Sequence, residues 1–156
     1  MSTERFDRYV VVAQRFGART VLFQEAAARR LGFSATQLEC FQLVRHEGPL
    51  TASELARETG LTQASLSVII DKLVDKKFLS REQDRADRRR WIMIANPAAI
   101  ALVDGVYVAH ASRTAALLDD YSEEEFDASL RFMDRLAKEL KLTAVELAQS
   151  RPVGSD

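Results

Sequence analysis

The stretch that decides the fold runs from residue 50 to residue 91 and reads LTASELARETGLTQASLSVIIDKLVDKKFLSREQDRADRRRW. Thr51 and Glu54 have the spacing of a capping box, in which the first residue caps a helix and the fourth reaches back to it. Gly60 ends that segment, and Thr62 can cap another. Two short helices joined by a glycine-containing turn are predicted, which is a helix-turn-helix.

Beyond Phe78 the apolar spacing changes from that of a helix to that of a strand. Leu79–Gln83 and Arg90–Ile94 are predicted to be strands, and the turn between them includes residues 84–87. A strand, a basic turn and a second strand directly behind a helix-turn-helix predict a β-hairpin wing.

Long helices are predicted on both sides of this segment. The first runs from the N-terminal region to Gly32, after which Ser34 and Gln37 form another capping box. Asn96 and Pro97 open a helix over residues 97–119, and the box Ser122–Glu125 opens the last one. The final six residues, RPVGSD, are predicted to fray.

The composition limits the class of protein. A chain of 156 residues with 47% hydrophobic residues forms one globular domain, residues 1–156, by the usual prior. No apolar run approaches the ~18 residues of a membrane span, and charges interrupt the N-terminal apolar patch, which argues against a signal peptide. The single cysteine, Cys40, suits a reducing compartment and is expected to be buried. We therefore expect a cytoplasmic protein without a membrane partner.

The net charge of −1 is unevenly distributed. Residues 62–90 carry eight Lys or Arg against five Asp or Glu, a balance of +3, which leaves −4 on the rest of the chain. A basic patch on an acidic body is what local contact with phosphate requires. A solvated charged loop without a ligand is the other interpretation of this pattern.

The segments LTASELARETGLTQASLSVIIDKLVDKKFL, DRADRRR and ATQLECFQLV resemble the MarR family of bacterial transcription regulators. The wing pattern, two aspartates three apart followed by paired arginines, is the most specific part. The resemblance implies a mainly α fold with a small β-hairpin wing: a winged helix-turn-helix lobe over 34–95, with dimerisation helices over 1–31 and 97–149. It also implies a homodimer that binds DNA and is released by small phenolic or carboxylate ligands.

Two residues depart from the family pattern. Lys77 stands where many members have glycine, so a left-handed conformation there would cost about 1 kcal/mol. Val68 stands where many members have arginine, and an apolar contact to a thymine methyl can take the place of a polar one.

The exposed face of the second short helix is expected to read base edges, because the N-terminal part of a recognition helix enters the major groove. Gln63 can pair with adenine, and Ser65 and Ser67 can bond a base or a phosphate. The residues expected to contact DNA from this helix are Thr62, Gln63, Ser65, Ser67, Val68 and Lys72.

The arginines of the wing are expected to divide their roles. Strand alternation puts Arg88 and Arg90 on one side and Arg89 on the other. We expect Arg88 to enter the minor groove and Arg85 and Arg90 to touch phosphate. The bracing residues are expected to be Asp84, Asp87 and Arg89, with the aspartates forming Asx-type bonds.

Other candidate residues carry weaker signals. Tyr107, His110 and Arg113 supply an aromatic ring, a titratable ring and a cation, a set that suits a small aromatic acid as effector; packing within the helix is the alternative for Tyr107 and His110. Trp91 is expected to pack into the core. No metal site, cofactor or catalytic motif is predicted.

The sequence thus predicts a regulator, expected to be a repressor, that binds a palindromic operator in double-stranded DNA as a homodimer and responds to a small aromatic or carboxylate ligand. The alternative is a winged-helix protein-interaction module that does not bind DNA.

Overall fold

The computed structural model describes residues 3–149, and the chain divides into two compact parts, residues 1–39 and residues 40–156. The predicted mainly α fold with a small sheet is confirmed, and the RPVGSD segment lies outside the described residues. In the described range the elements are α1 (Thr3–Leu31), α2 (Ala35–Glu47), β1 (Leu50–Thr51), α3 (Ala52–Thr59), α4 (Gln63–Asp75), β2 (Leu79–Gln83), β3 (Trp91–Ala95), α5 (Pro97–Leu118) and α6 (Glu123–Gln149).

In the first part of the chain, α1 ends where the sequence predicts. Gly32 adopts φ 75°, and the N–H groups of Gly32 and Phe33 donate to the carbonyls of Arg29 and Ala28. These bonds satisfy carbonyls that the helix end would leave unpaired. Large apolar side chains of α1 nevertheless remain exposed to solvent: Phe6, Val11, Val12, Phe16, Val21 and Leu22.

In the second part, α3 packs against α4, and together they form the predicted helix-turn-helix. The Thr51–Glu54 capping box is present, and Gly60 ends α3 with φ 69°. The apolar stripe of α4 is buried as predicted, at Leu66, Ile69, Ile70 and Leu73. The rings of Phe41 and Phe78 meet edge to face at 5.3 Å, so α2 joins the same core.

The wing strands belong to a three-stranded antiparallel sheet of order β1-β3-β2. Leu50 lies opposite Met93, and Leu79 lies opposite Ala95. The two-residue strand β1 was not predicted, because its second residue, Thr51, also caps α3 and the local pattern shows only the cap. This short strand fixes the start of α3 against the wing.

Lys77 has φ 60°, the left-handed conformation in which glycine is favoured. Its backbone N–H donates to Val74 O, and the N–H of Phe78 donates to Leu73 O, so the two residues close the end of α4. Helix α4 therefore ends in the conformation that usually requires glycine, although the residue there is Lys77, whose side chain is exposed.

Two ion pairs connect the helix-turn-helix region with the C-terminal helices. Arg45 of α2 lies 2.7 Å from Asp104 of α5, and Lys141 of α6 binds Glu58 of α3. Asn96 caps α5 by accepting from Ala98 N, as predicted. No helix in residues 3–149 combines the length and the apolar character that crossing a membrane requires.

Candidate nucleic-acid interface

The start of α4 is held by two hydroxyl groups. Thr62 Oγ1 accepts from Ser65 N at 3.2 Å and donates to Ser65 Oγ at 3.0 Å. The cap satisfies one of the N–H groups that the first turn of a helix leaves unpaired. Thr62 and Ser65 are exposed, but their first role in the structure is to fix the position of the helix end.

The predicted outer face of α4 is exposed. Gln63, Ser67 and Lys72 lie on it, and Val68 is 67% exposed. On the same face Asp71 accepts from Arg81 Nη2 at 2.5 Å. This pair, which sequence reasoning missed, neutralises the acidic residue of the face and ties β2 to α4. The signal was present as an Asp and an Arg ten residues apart, but only the fold brings them together.

The wing tip is a loop over residues 84–90 that its own backbone and two aspartates close. Asp84 Oδ1 accepts from Ala86 N at 2.8 Å, and Asp87 Oδ1 accepts from Arg89 N at 3.0 Å. Asp84 N donates to Arg90 O, and Arg90 N donates to Asp87 O. Both aspartates therefore have Asx-turn geometry, and the bond that joins Arg89 to Asp87 uses the backbone N–H of Arg89.

The argument from strand alternation was wrong for these arginines. β3 begins at Trp91, so residues 88–90 belong to the loop and do not alternate as strand residues. Contacts divide the arginines differently. Within residues 3–149, Arg85, Arg88 and Arg89 are exposed and have no ion pair, whereas Arg90 Nη2 lies 2.9 Å from Glu54 Oε1.

Glu54 joins the start of α3 to Arg90, the last residue of the wing-tip loop. Its Oε2 accepts from the backbone N and the Oγ1 of Thr51, each at 2.8 Å, and its Oε1 accepts from Arg90. The bond from Thr51 N, followed by that from the Thr51 hydroxyl, holds the pKa of Glu54 below its ordinary value. The capping box could be predicted from four residues of sequence, but the bond to Arg90 spans 36 positions.

Trp91 is not a core residue, and that expectation was wrong. Its side chain is 54% exposed at the first position of β3, opposite Gln83. The burial of β3 is instead at Met93, because the apolar core ends before the wing reaches its tip. Trp91 lines an open cleft of about 480 Å³, with Thr51, Ala52, Ser53, Glu54, Arg57 and Arg90.

The candidate effector residues all lie on α5. Tyr107 is half-buried, and His110 and Arg113 are exposed. None of the three lines the cleft at Trp91. Among the described residues, no group of three or more His, Cys, Asp or Glu side chains could hold a metal ion. Cys40 is fully buried, as expected.

Comparisons with known proteins agree with this geometry. A model described as MarR family matches residues 31–90. The HTH-type transcriptional regulator YcgE of Bacillus subtilis is 33% identical over 128 residues, covering 82% of this chain and 83% of the relative.

Two solved structures have the same fold. A MepR mutant from a multidrug-resistant S. aureus clinical isolate superposes with a TM-score of 0.72 at 19% identity, covering 85% of this chain and 96% of that one. Another S. aureus MepR mutant, bound to an oligodeoxyribonucleotide, has a TM-score of 0.57 at 19% identity, covering 85% and 97%. The chain belongs to the MarR family of transcriptional regulators, which are DNA-binding proteins and not enzymes.

Proposed function

We propose that this regulator binds a palindromic operator as a homodimer, with α4 of each subunit in the major groove and each wing in the adjacent minor groove. The observation that supports this most directly is the wing tip. Its loop is closed by two Asx turns, yet its arginines Arg85, Arg88 and Arg89 carry no ion pair among the described residues. Cations held on a braced loop beside a recognition helix have DNA phosphate as their natural counter-charge.

On α4 the proposed base contacts come from Gln63, Ser67 and Val68. Gln63 can pair with adenine, Ser67 can bond a base or a phosphate, and Val68 can contact a thymine methyl. Thr62 and Ser65 hold the helix end and offer hydroxyls to the backbone, while Lys72 adds a phosphate contact at the flank. The Arg81–Asp71 pair keeps the acidic group of this face from repelling DNA.

The wing is proposed to contact DNA with Arg88 in the minor groove and Arg85 and Arg90 on phosphates. Arg90 keeps its bond to Glu54, so it also sets the position of the wing relative to α3. Asp84 and Asp87 brace the loop, and Arg89 takes part in the bracing through its backbone N–H. In this arrangement Glu54 and Asp71 are positioning residues that act through the arginines they bind.

The homodimer is proposed from apolar surface that the single chain leaves uncovered. Along α6, Leu130, Met133, Leu140 and Leu147 are exposed, and α5 exposes Val108, Leu117 and Leu118. Exposed apolar side chains concentrated along helices in this way are typical of surfaces that bind another protein. We propose that residues 97–149, together with 1–31, form the dimerisation helices and that the lobes are residues 34–95.

Repression and its release follow from dimer geometry. Two recognition helices must lie about 34–36 Å apart to enter successive major grooves on one face of DNA. A dimer bound across a promoter excludes polymerase, so repression is the expected outcome. A small aromatic acid at Tyr107, His110 and Arg113 would release DNA by favouring another spacing, and about 3 kcal/mol of preference is more than a hundredfold in affinity.

The test is binding to the DNA upstream of the protein's own gene, titrated with salt. Arg88→Ala should weaken binding to all sequences and lower the salt slope by about one unit per contact. Gln63→Ala should instead relax preference at particular base pairs, by roughly 1–3 kcal/mol each. If the protein bound a protein partner and showed no salt-dependent affinity for any DNA, the alternative of a protein-interaction module would be favoured.

The effector site has its own test, with salicylate-like acids titrated against the protein–DNA complex. Release at millimolar acid, and its loss in Arg113→Ala, are the expected results. If no acid shifts operator affinity, the effector site on α5 is wrong while the DNA-binding proposal stands.

A further inference from the structure

The cleft at Trp91 lies between the two elements that the proposed DNA contact uses. One wall is α3, the first helix of the helix-turn-helix, and the other is the end of the wing next to its tip loop, at Arg90 and Trp91. Its volume of about 480 Å³ is that of a small binding site, and it is open to solvent. We call it the Trp91 cleft, lined by the residues named above.

The lining carries a net positive charge and a surplus of donors. Arg57 is exposed and, among the described residues, has no acidic partner. Glu54 is committed to Thr51 and Arg90, so two guanidinium groups face one carboxylate. The exposed hydroxyl of Ser53 adds a further donor. A cleft of this composition suits one singly charged anion.

Trp91 adds an apolar surface that folding does not explain. A tryptophan that is half exposed forgoes much of the free energy that burial of its ring would supply. The indole beside the arginines offers an apolar plate next to the anion-binding groups. The combination matches a nucleic-acid backbone, in which each phosphate is flanked by a sugar with an apolar face.

We infer that the Trp91 cleft binds one phosphate of the DNA backbone per subunit, with Arg57 and Arg90 on the phosphate oxygens and Trp91 against the neighbouring deoxyribose. This inference rests on the proposed function and adds Arg57 and Trp91 to the DNA contacts proposed for α4 and the wing tip. The first helix of a helix-turn-helix crosses the DNA backbone in bound complexes, which puts such a phosphate within reach of α3. Glu54 then has a specific task, because it keeps Arg90 pointed into the cleft.

The contact would fix register and not sequence, since phosphate contacts carry no base information. Arg57→Ala should therefore weaken operator and unrelated DNA alike, by about tenfold for the loss of a charge-assisted bond. The slope of log affinity against log salt should fall by about one unit per subunit. Arg131→Ala on α6, which removes an exposed arginine elsewhere, is the matched control and should change neither quantity.

A scan of the operator with single methylphosphonates tests the position of the contact. Each substitution neutralises one phosphate, and the affinity of wild type and Arg57→Ala is measured for each. We expect one phosphate per half-site whose neutralisation weakens wild type but has no further effect on Arg57→Ala. If every phosphate weakens both proteins equally, Arg57 binds none of them and the inference is overturned. If Arg57→Ala lowers the melting temperature, the same scan is carried out with Arg57→Gln, which keeps a polar side chain on α3.

Trp91 reports directly on the cleft, because it is the only tryptophan of the chain. Adding operator should shift its fluorescence to shorter wavelength and protect it from iodide quenching, and salt should reverse both effects. Trp91→Phe should retain most of the affinity and Trp91→Ala should lose several-fold. The assignment would be overturned if the fluorescence of Trp91 did not change on adding DNA. It would also be overturned if the fluorescence responded to a small aromatic acid while the affinity for DNA stayed unchanged.

The two proposals fail in distinguishable ways. Loss of binding in Arg88→Ala with no loss in Arg57→Ala refutes the Trp91 cleft and leaves the proposed function in place. Absence of DNA binding by the wild-type protein refutes both.

Discussion

Helices α4 and α6 both carry apolar residues at helical spacing, but those of α4 are buried and the described ones of α6 are not. In α4 the stripe that begins at Leu66 and ends at Leu73 is buried against its neighbours. In the described residues of α6 no side chain is buried, although the helix carries Leu130, Met133 and Leu140 at helical spacing. The apolar stripe of α4 is therefore covered within the single chain, whereas the apolar residues of α6 stay uncovered.

Helix α5 contains both buried and exposed apolar residues. Near its start Ala99 and Val103 are buried, whereas Val108, Leu117 and Leu118 are exposed towards its end. The apolar residues of the helix-turn-helix are thus buried within the single chain, whereas the exposed apolar residues of the C-terminal helices are the basis of the proposed dimer.

The largest effect is expected from a charge on α6. Leu140→Asp should convert the proposed dimer of about 35 kDa, twice the chain mass of 17.5 kDa, into a monomer. An unpaired charge in an apolar interface costs several kcal/mol, so we expect operator affinity to fall by at least about a hundredfold. Sedimentation at micromolar concentration measures the assembly, and Arg131→Asp on the polar side of α6 is the control. A wild-type protein that sediments as a monomer would remove the basis of the dimer.

The next effect concerns the closed core of the lobe. Leu66→Ala should lower the free energy of unfolding by about 3 kcal/mol, because Leu66 is completely buried. Val68→Ala, two residues away on the exposed face, should stay within about 0.5 kcal/mol of wild type. Urea unfolding followed by circular dichroism gives both values. Equal losses in the two variants would mean that the lobe does not have the core described above.

A smaller gain is expected at the end of α4. Lys77→Gly should raise the free energy of unfolding by about 1 kcal/mol, because glycine adopts φ 60° without the steric cost that lysine bears. The adjacent Lys76 has φ −81°, so Lys76→Gly should bring no gain and cost several tenths of a kcal/mol through unfolded-state entropy. The same urea experiment compares the two, and stabilisation by both changes would contradict the explanation from φ.

The smallest effect is a pH dependence at two capping boxes, one in each region. Hydrogen bonds from Thr51 and Ser122 lower the pKa of Glu54 and of Glu125, so each carboxylate stabilises the folded state above the ordinary pKa near 4.5. That contribution is lost as pH falls through this range towards the lower folded pKa. Glu54→Gln and Glu125→Gln should each reduce the loss of stability on acidification.

The two glutamates differ in what else they hold. Only Glu54 also binds Arg90, so Glu54→Gln alone should reduce DNA affinity at neutral pH. A reduction of the same size in Glu125→Gln would show that Glu54 does not position the wing.

The predictions made from sequence succeeded where the cause is local. The boxes at Thr51–Glu54 and Ser122–Glu125, the helix end at Gly60 and the stripe on α4 each depend on residues within one or two turns. They failed where contacts span the chain. A large apolar side chain next to a strand of apolar residues is usually buried, but Trp91 is exposed because the core ends before the wing tip.

In the candidate interface, too, local features could be predicted from the sequence and long-range contacts could not. The outer face of α4 and the basic loop could be predicted, because helical periodicity and two aspartates three apart are sequence patterns. The bonds of Arg81 to Asp71 and of Arg90 to Glu54 could not, because they join side chains ten and 36 residues apart.

By itself, the sequence determined the helices, their caps, the basic wing and the family, because these depend on backbone preferences and short-range hydrogen bonds. The tertiary structure decided which arginines have partners and where the cleft beside Trp91 lies. It also decided which apolar faces stay uncovered, because ion pairing and burial depend on side chains that are distant along the chain and meet only in the folded molecule.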